Sequence, residues 1–118
     1  MNEFALIFRN SDNADFKPSP DQMQEVMTSW MNWMGSIGAQ GKLADKGNRL
    51  GVADAKIVRP NNVVTDGPYT EIKEFISGYI VLNAGSLGEA VEIAKGCPIF
   101  KLGGNVEVRG VIDMNDNN

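Results

Sequence analysis

The sequence predicts an α+β fold of the split β-α-β type, with the chain order β-α-β-β-α-β. Two stretches, beginning near residues 23 and 87, repeat apolar residues at spacings of three and four, which indicates amphipathic helices. Short apolar or alternating runs before, between and after them indicate strands. Two helices of this kind are enough to cover one face of a sheet.

Composition limits the chain to one domain, which we assign to residues 1–113, with a polar tail at 114–118. The 118 residues are 42% hydrophobic and 22% charged, as in an ordinary globular domain. A net charge of −4 argues against non-specific nucleic-acid binding, which requires a basic surface. One cysteine excludes an internal disulfide, and no signal peptide or membrane-spanning run is recognisable, so we expect a cytoplasmic protein.

The first strand and helix have clear local signals. The run 4–8 is apolar at every position, as in a strand covered on both faces. Ser19 is expected as the N-cap of a helix, with Pro20 in its first turn and Gln22 completing a capping box. Gly38 is expected as the C-cap. The helix carries one wide apolar stripe, which should lie on the sheet: Met23, Val26, Met27, Trp30, Met31, Met34 and Ile37.

The middle of the chain is read as a loop followed by strands. Residues 39–54 show only brief strand-like pieces between glycines. The runs 55–59 and 63–65 flank Pro60-Asn61-Asn62 and predict a hairpin. The run 75–82 alternates an apolar face (Ile76, Gly78, Ile80 and Leu82) with a mixed one (Ser77, Tyr79, Val81 and Asn83).

The last third of the chain predicts a helix and a strand. Ser86 and Glu89 form a second capping box, and Gly96 should end that helix. Cys97 is expected as a small buried residue, since no histidine is present to activate it. Residues 106–112 form the final strand, with Val106, Val108 and Ile112 on one face.

The most concentrated polar chemistry lies in residues 66–74, a loop around a Gly-Pro turn. Asp66 is a candidate general acid or base, although an Asp before Gly also commonly bonds its own turn. The side chains of Glu71 and Lys73 are either ligand-binding groups or solvated charges. Gly67 and Pro68 shape the loop, and Tyr69 offers a phenol.

This loop carries a family resemblance. The stretch DGPYTEIKE resembles the DGPFAETKE signature of DGPF-domain proteins, a branch of the YCII-related family, and residues 103–109 resemble the family's closing Gly-Gly-x-Val-Glu-Val-Arg motif. Gly110 stands where proline is usual, and Cys97-Pro98 also resembles family members. The signature matches at six positions: Asp66, Gly67, Pro68, Glu71, Lys73 and Glu74.

The resemblance implies a ferredoxin-like unit that dimerises by packing two sheets into an α/β barrel. Some YCII-related proteins have a His–Asp pair proposed as catalytic, and this chain has no histidine, so that mechanism does not transfer. The sequence itself also predicts a homodimer. The sheet face opposite the helices is too apolar to be left in water. Its expected members are Ile7, Arg9, Tyr79, Val81, Arg109 and Val111.

Two functional hypotheses follow. In the first, the protein is a cofactor-free small-molecule enzyme of the isomerase, lyase or oxygenase type. Asp66 moves a proton, Arg109 holds an anion and Tyr69 or Tyr79 donates a hydrogen bond.

In this hypothesis Trp33 lines a cleft or a subunit contact; otherwise it packs at the helix border with its N–H in water. In the second hypothesis, the protein is a non-catalytic dimeric module that serves transcriptional regulation through protein contacts, and Arg109 pairs with Glu107 or a neighbouring acid. Neither hypothesis requires a metal or an organic cofactor.

Overall fold

A four-stranded antiparallel sheet covered by two helices forms the body of the protein. The computed structural model describes residues 2–11, 19–67 and 74–114. Its elements are β1 (Asn2–Ser11), α1 (Pro20–Ala39), β2 (Leu43–Arg49), β3 (Lys56–Arg59), β4 (Val63–Asp66), β5 (Glu74–Ala84), α2 (Leu87–Ala94) and β6 (Asn105–Gly110). The sheet order β2-β5-β1-β6 confirms the α+β class and is compatible with a ferredoxin-like fold.

The core lies between this sheet and the helices. Every second residue of β1 points toward the helices, and those of β5 and β6 opposite it do the same, because strand side chains alternate between faces. Alanines of α2 let that helix approach the sheet closely. The buried set includes Phe4, Leu6, Phe8, Ile37, Ile80, Leu82, Ala84, Ala90, Ala94, Cys97 and Ile99.

The helix starts were predicted correctly. Ser19 Oγ accepts the Gln22 N–H at 3.1 Å, and Gln22 Oε1 accepts the Ser19 N–H at 2.8 Å, which completes the capping box. Ser86 caps α2 by accepting the Glu89 N–H at 3.2 Å. The Glu89 carboxylate accepts the Gly85 N–H instead of that of Ser86, so this second box is only half formed.

The predicted C-cap of α1 was wrong. Helical geometry continues through Gly38 to Ala39, and Gln40 is the C-cap. The residue with left-handed backbone is Gly41, at φ 70°, and its N–H donates to the Gly38 carbonyl at 3.0 Å. The sequence prediction therefore took Gly38, which lies inside the last turn, for the glycine that follows the end of the helix, which is Gly41.

Strand β2 is the main element that the sequence did not predict. It forms one edge of the sheet, although its pairing with β5 shifts register twice, once on each side of Asp45. Gly47 lies in the second irregularity with φ 65°. Bulges interrupt the alternation of side chains, which explains why this stretch resembled a loop.

A further bulge, in the pairing of β1 with β5, corrects the predicted face of Ile76. Phe8 of β1 pairs with Gly78, and Arg9 pairs with Ile76, so Ser77 is the extra residue of β5. Ile76 was expected on the apolar core face. Its side chain is 39% exposed instead.

The hairpin β3–β4 forms a separate two-stranded sheet between β2 and β5 in the chain. Its predicted turn is confirmed, with Asn61 and Asn62 both at positive φ. The radius of gyration is 16.1 Å. A compact chain of this length has about 13.5 Å. Among the described elements, β3 and β4 pack on each other and only sparsely on the rest, so the hairpin extends away from the body of the protein.

Candidate ligand-binding cavity

A cavity of about 400 Å³ opens between α1 and the β2–β5 side of the sheet, on the face that the helices cover. We call it the helix-face cavity. Its wall residues come from four elements and from the 3-10 turn Pro98–Leu102. They are Phe8, Asn10, Met23, Val26, Met27, Trp30, Met31, Met34, Lys46, Gly47, Asn48, Arg49, Ser77, Gly78, Tyr79, Ile80, Ile99 and Leu102.

Methionines of α1 form one wall. Met23, Met27 and Met31 follow one another at four-residue spacing and are 37%, 55% and 73% exposed. The prediction that the whole apolar stripe rests on the sheet was therefore wrong. Val26 and Ile37 are buried, whereas the methionine edge of the stripe faces the cavity and solvent. Long flexible thioether side chains suit a surface that adapts to different ligands.

Aromatic rings form the floor. The rings of Phe8 and Trp30 meet edge to face with centroids 5.0 Å apart. Trp33 packs behind Trp30 at 5.5 Å and is not among the wall residues. Its indole N–H donates to the Ile93 carbonyl at 3.2 Å, so the alternative that placed this N–H in water was wrong. The structure places Trp33 as a link between α1 and α2.

The rim is polar and carries positive charge. Lys46 and Arg49 are the charged residues among the described wall positions, and no Asp or Glu is among them. Arg49 pairs with Gly78, which in turn pairs with the buried Phe8, so Arg49 lies on the helix side of the sheet. This local charge is opposite in sign to the net charge of −4.

The bulge in β2 brings the rim close to β5. Asp45 Oδ1 accepts the Gly47 N–H at 2.7 Å, which holds the turn of the bulge. A Cβ on Gly47 would lie 1.6 Å from the Tyr79 carbonyl oxygen, and a Cβ on Gly78 would lie 2.8 Å from the Asn48 carbonyl oxygen. The two glycines therefore permit the close approach of β2 and β5 at this point.

Tyr79 borders the cavity, but its side chain lies on the face of the sheet opposite the helices, which we call the outer face. The residue lies between the buried Gly78 and Ile80, and it pairs with Ile7 of β1. Its phenol oxygen accepts a hydrogen bond from Asn48 Nδ2 at 3.1 Å. The neighbouring strand thus engages this phenol as an acceptor, whereas the predicted role of Tyr79 was that of a donor.

Asp66 and Gly67 lie at the end of the hairpin. Asp66 is 91% exposed and its Oδ1 is 2.6 Å from Lys56 Nζ, while the Gly67 N–H donates to the Ala55 carbonyl at 3.0 Å. Neither is a wall residue of the helix-face cavity. The other predicted loop residues, Pro68, Tyr69, Glu71 and Lys73, lie outside the described residues.

Strand β5, which follows the signature loop of residues 66–74 in the chain, begins close to the cavity. Glu74 opens β5 and pairs with Ser11 of β1. Asn10, the preceding residue of β1, is a wall residue, as is Ser77 of β5. The backbone of β5 therefore starts beside the wall of the cavity.

Arg109 lies on the outer sheet face, away from the helices. Its side chain is 68% exposed, and its Nε is 4.0 Å from Glu107 Oε2. Glu107 makes its shorter ion pair with Arg9, at 2.7 Å. Arg109 and Asp66 belong to different sheets, and each has a different charged neighbour.

Other chemistry in the described residues is sparse. Burial raises the pKa of the Cys97 thiol to about 12, so the thiolate is strongly disfavoured. Within residues 2–11, 19–67 and 74–114, no three His, Cys, Asp or Glu side chains are placed to hold a metal ion. No helix in the same ranges is long and apolar enough to cross a membrane.

The sequence reasoning missed Lys46, Arg49 and the exposure of the methionines. A usable signal was present in the glycine at position 47, since a glycine inside a strand often marks a bulge or a close backbone approach.

Comparison with known proteins identifies a family. The model of the YCII-related domain matches residues 3–115, nearly the whole chain. No curated protein matches the sequence.

Proposed function

This chain belongs to the YCII-related domain family, and we propose that it is a small-molecule-binding protein whose ligand occupies the helix-face cavity. The observation that carries this proposal is the cavity itself, at about 400 Å³ with an apolar wall and a few polar groups at its rim. Small-molecule sites in proteins typically enclose roughly 300–1,000 Å³ and have this distribution of groups.

The methionine wall supports a ligand on energetic grounds. Met27 and Met31 are more than half exposed beside Trp30, so apolar surface faces water at the cavity mouth. Covering apolar surface stabilises a complex by about 25 cal/mol per Å². An apolar ligand gains from this contact without any rearrangement of the core.

A thermal-shift screen with a matched pair of variants tests the proposal. Met27→Glu places a charge on the cavity wall, whereas Thr28→Glu places the same charge on an exposed position of α1 outside the wall. A ligand of the native state raises the melting temperature by mass action. We expect compounds that stabilise the wild type and Thr28→Glu to have no effect on Met27→Glu. Equal shifts in both variants would place the ligand elsewhere.

Acid–base turnover in this cavity needs a group that transfers a proton, and the described wall residues include no carboxylate. We propose Glu71 for this role, because only two residues separate it from β5 in the sequence, and we retain Asp66 as the loop's other candidate acid. If a bound compound is converted, Glu71→Gln should abolish turnover and preserve binding. Unchanged turnover in Glu71→Gln, with loss in Asp66→Asn, would assign the proton transfer to Asp66.

We propose that the protein is a homodimer that packs outer sheet faces together as an α/β barrel. Ile7 and Val81 are half-buried on this face, and Ile76 and Val111 are exposed beside them. Such a surface favours a partner.

A Val81→Lys variant tests the dimer. The new lysine lies beside Asp45, the cross-strand partner of Val81, so the monomer should remain folded. Sedimentation analysis should give a dimer for the wild type and Thr28→Glu, and a monomer for Val81→Lys. A monomeric wild type would refute the proposal.

The hairpin favours a second candidate function, a non-catalytic protein-binding module. Val58 and Val64 on β3 and β4 are 75% and 57% exposed on a hairpin that extends from the body. If no small molecule binds, a specific partner protein that binds the wild type and does not bind the Val58→Lys variant would support this function.

A further inference from the structure

The charge pattern of the helix-face cavity identifies the class of its ligand. We infer that the cavity takes an apolar molecule that carries one carboxylate, with the apolar body on the methionine wall and the carboxylate at Lys46 and Arg49. The inference rests on the proposed function, because it names the ligand of the same cavity.

The charge at the cavity rim is positive. Acidic residues outnumber basic ones in the chain, 15 to 11. The described wall residues reverse this ratio, with Lys46 and Arg49 present and no Asp or Glu. An anion that enters the cavity therefore meets two cations, and no described wall residue is a repelling carboxylate.

The positive and the apolar groups lie on opposite sides of the cavity. Both cations belong to the bulged end of β2, where Gly47 turns the strand and Arg49 pairs with Gly78. Gly78 is itself a wall residue, and the lack of a side chain there lets the backbone of Asn48 and Arg49 lie directly against β5. The cations are therefore on the strand side of the cavity, and the methionines are on the helix side.

The apolar wall of the cavity is elongated along α1. Met27 and Met31 lie four residues apart along α1, so their side chains cover about one helical turn of the wall. Trp30 lies between them in sequence and contributes its ring to the floor beside Phe8. An extended or flat apolar body fits this surface, and a molecule charged at several points does not.

A matched ligand series tests the inference on the whole protein. Decanoate, decan-1-ol and decylamine share one apolar chain and differ in charge. We expect decanoate to bind about fivefold more tightly than the alcohol, as two partly solvated ion pairs allow, and the amine to bind most weakly. Raising the salt concentration should reduce the preference for the acid and leave alcohol binding unchanged.

Paired charge variants locate the effect. In the double variant Lys46→Gln with Arg49→Gln, the acid and the alcohol should bind equally. Lys95→Gln is the control, because Lys95 is an exposed residue of α2's C-terminus that pairs with Glu92 and is not a wall residue. Calorimetric titration measures all dissociation constants.

The outcomes separate this inference from the proposed function. If acid and alcohol bind the wild type equally and Met27→Glu removes both, the cavity binds ligands and the carboxylate inference is overturned. A preference for the acid that survives in the double variant also overturns it. If none of the three compounds binds, the inference is overturned, and the thermal-shift screen with Met27→Glu and Thr28→Glu decides the proposed function separately.

Discussion

Replacing Gly47 with alanine tests whether the bulge in β2 shapes the cavity rim. A Cβ at this position would lie 1.6 Å from the Tyr79 carbonyl oxygen, 2.6 Å from its carbonyl carbon and 3.0 Å from Ile80 Cα. All three atoms belong to the backbone of β5, so no side-chain rotation relieves the overlap. The backbone angle φ of 65° is a second obstacle for alanine.

The expected magnitude has two parts. Left-handed backbone at a non-glycine residue costs about 1–2 kcal/mol. Moving β2 away from β5 breaks backbone hydrogen bonds around the Asn48–Tyr79 and Arg49–Gly78 pairs, and each contributes roughly 0.5–1.5 kcal/mol net. With two or three bonds lost, Gly47→Ala should lower the free energy of unfolding by about 3–5 kcal/mol in total.

Alanine substitutions at two other glycines separate the backbone cost from the cost of the lost hydrogen bonds. Gly41 has φ 70°, and a Cβ added to it would have no atom within 4 Å, so Gly41→Ala should show the backbone cost alone, about 1–2 kcal/mol. Gly51, just beyond β2, has open space and no positive φ, so Gly51→Ala should be nearly neutral.

Urea unfolding followed by tryptophan fluorescence gives all three values. If Gly47→Ala is no more destabilising than Gly41→Ala, the close approach of β2 and β5 is refuted.

Three further predictions concern the helices and the core. Gly35 and Gly38 lie inside α1 with open space around them. Changing each to alanine should raise the free energy of unfolding, measured by urea titration, by about 0.5–1 kcal/mol. A loss of stability would contradict the helix boundaries. Burial raises the pKa of the Cys97 thiol to about 12, so the unfolded chain loses this proton at a lower pH than the folded protein. The free energy of unfolding should therefore fall as pH rises from 9 toward 12, and more steeply in the wild type than in Cys97→Ala. Parallel curves for the two proteins would count against the buried thiol. Trp33→Phe removes the bond to the Ile93 carbonyl and should cost about 0.5–1.5 kcal/mol, measured by thermal unfolding; an unchanged stability would mean that the bond contributes nothing.

Much of the fold was predictable because its signals are local. The capping box of Ser19 and Gln22 depends on residues three positions apart, and the hairpin turn depends on Pro60 and two asparagines in sequence. The outer face was predictable because strand alternation places Ile7 and Val81 together. Strand β2 escaped prediction because its bulges destroy the alternation on which such a prediction depends.

The cavity was not predictable from the same local patterns. Periodicity shows that Met27 and Met31 share a side of α1 with Val26, but it does not show how far that side contacts the sheet. Tertiary packing sets the extent of this contact between α1 and the sheet, and the 3-10 turn that carries Ile99 and Leu102 contributes to it. The signature loop was found because its residues are adjacent in sequence, whereas the cavity rim at Lys46 becomes visible only with β2 in place.

The most direct test of a ligand in the helix-face cavity is a methyl-resolved NMR titration of methionine-labelled protein with decanoate. Met27 and Met31 are wall residues, and Met114 lies near the end of the chain at 89% exposure as an internal reference. We predict saturable shifts of the Met27 and Met31 methyl signals with no change at Met114. Binding that leaves both wall methyls unchanged would contradict the assignment of this cavity as the ligand site.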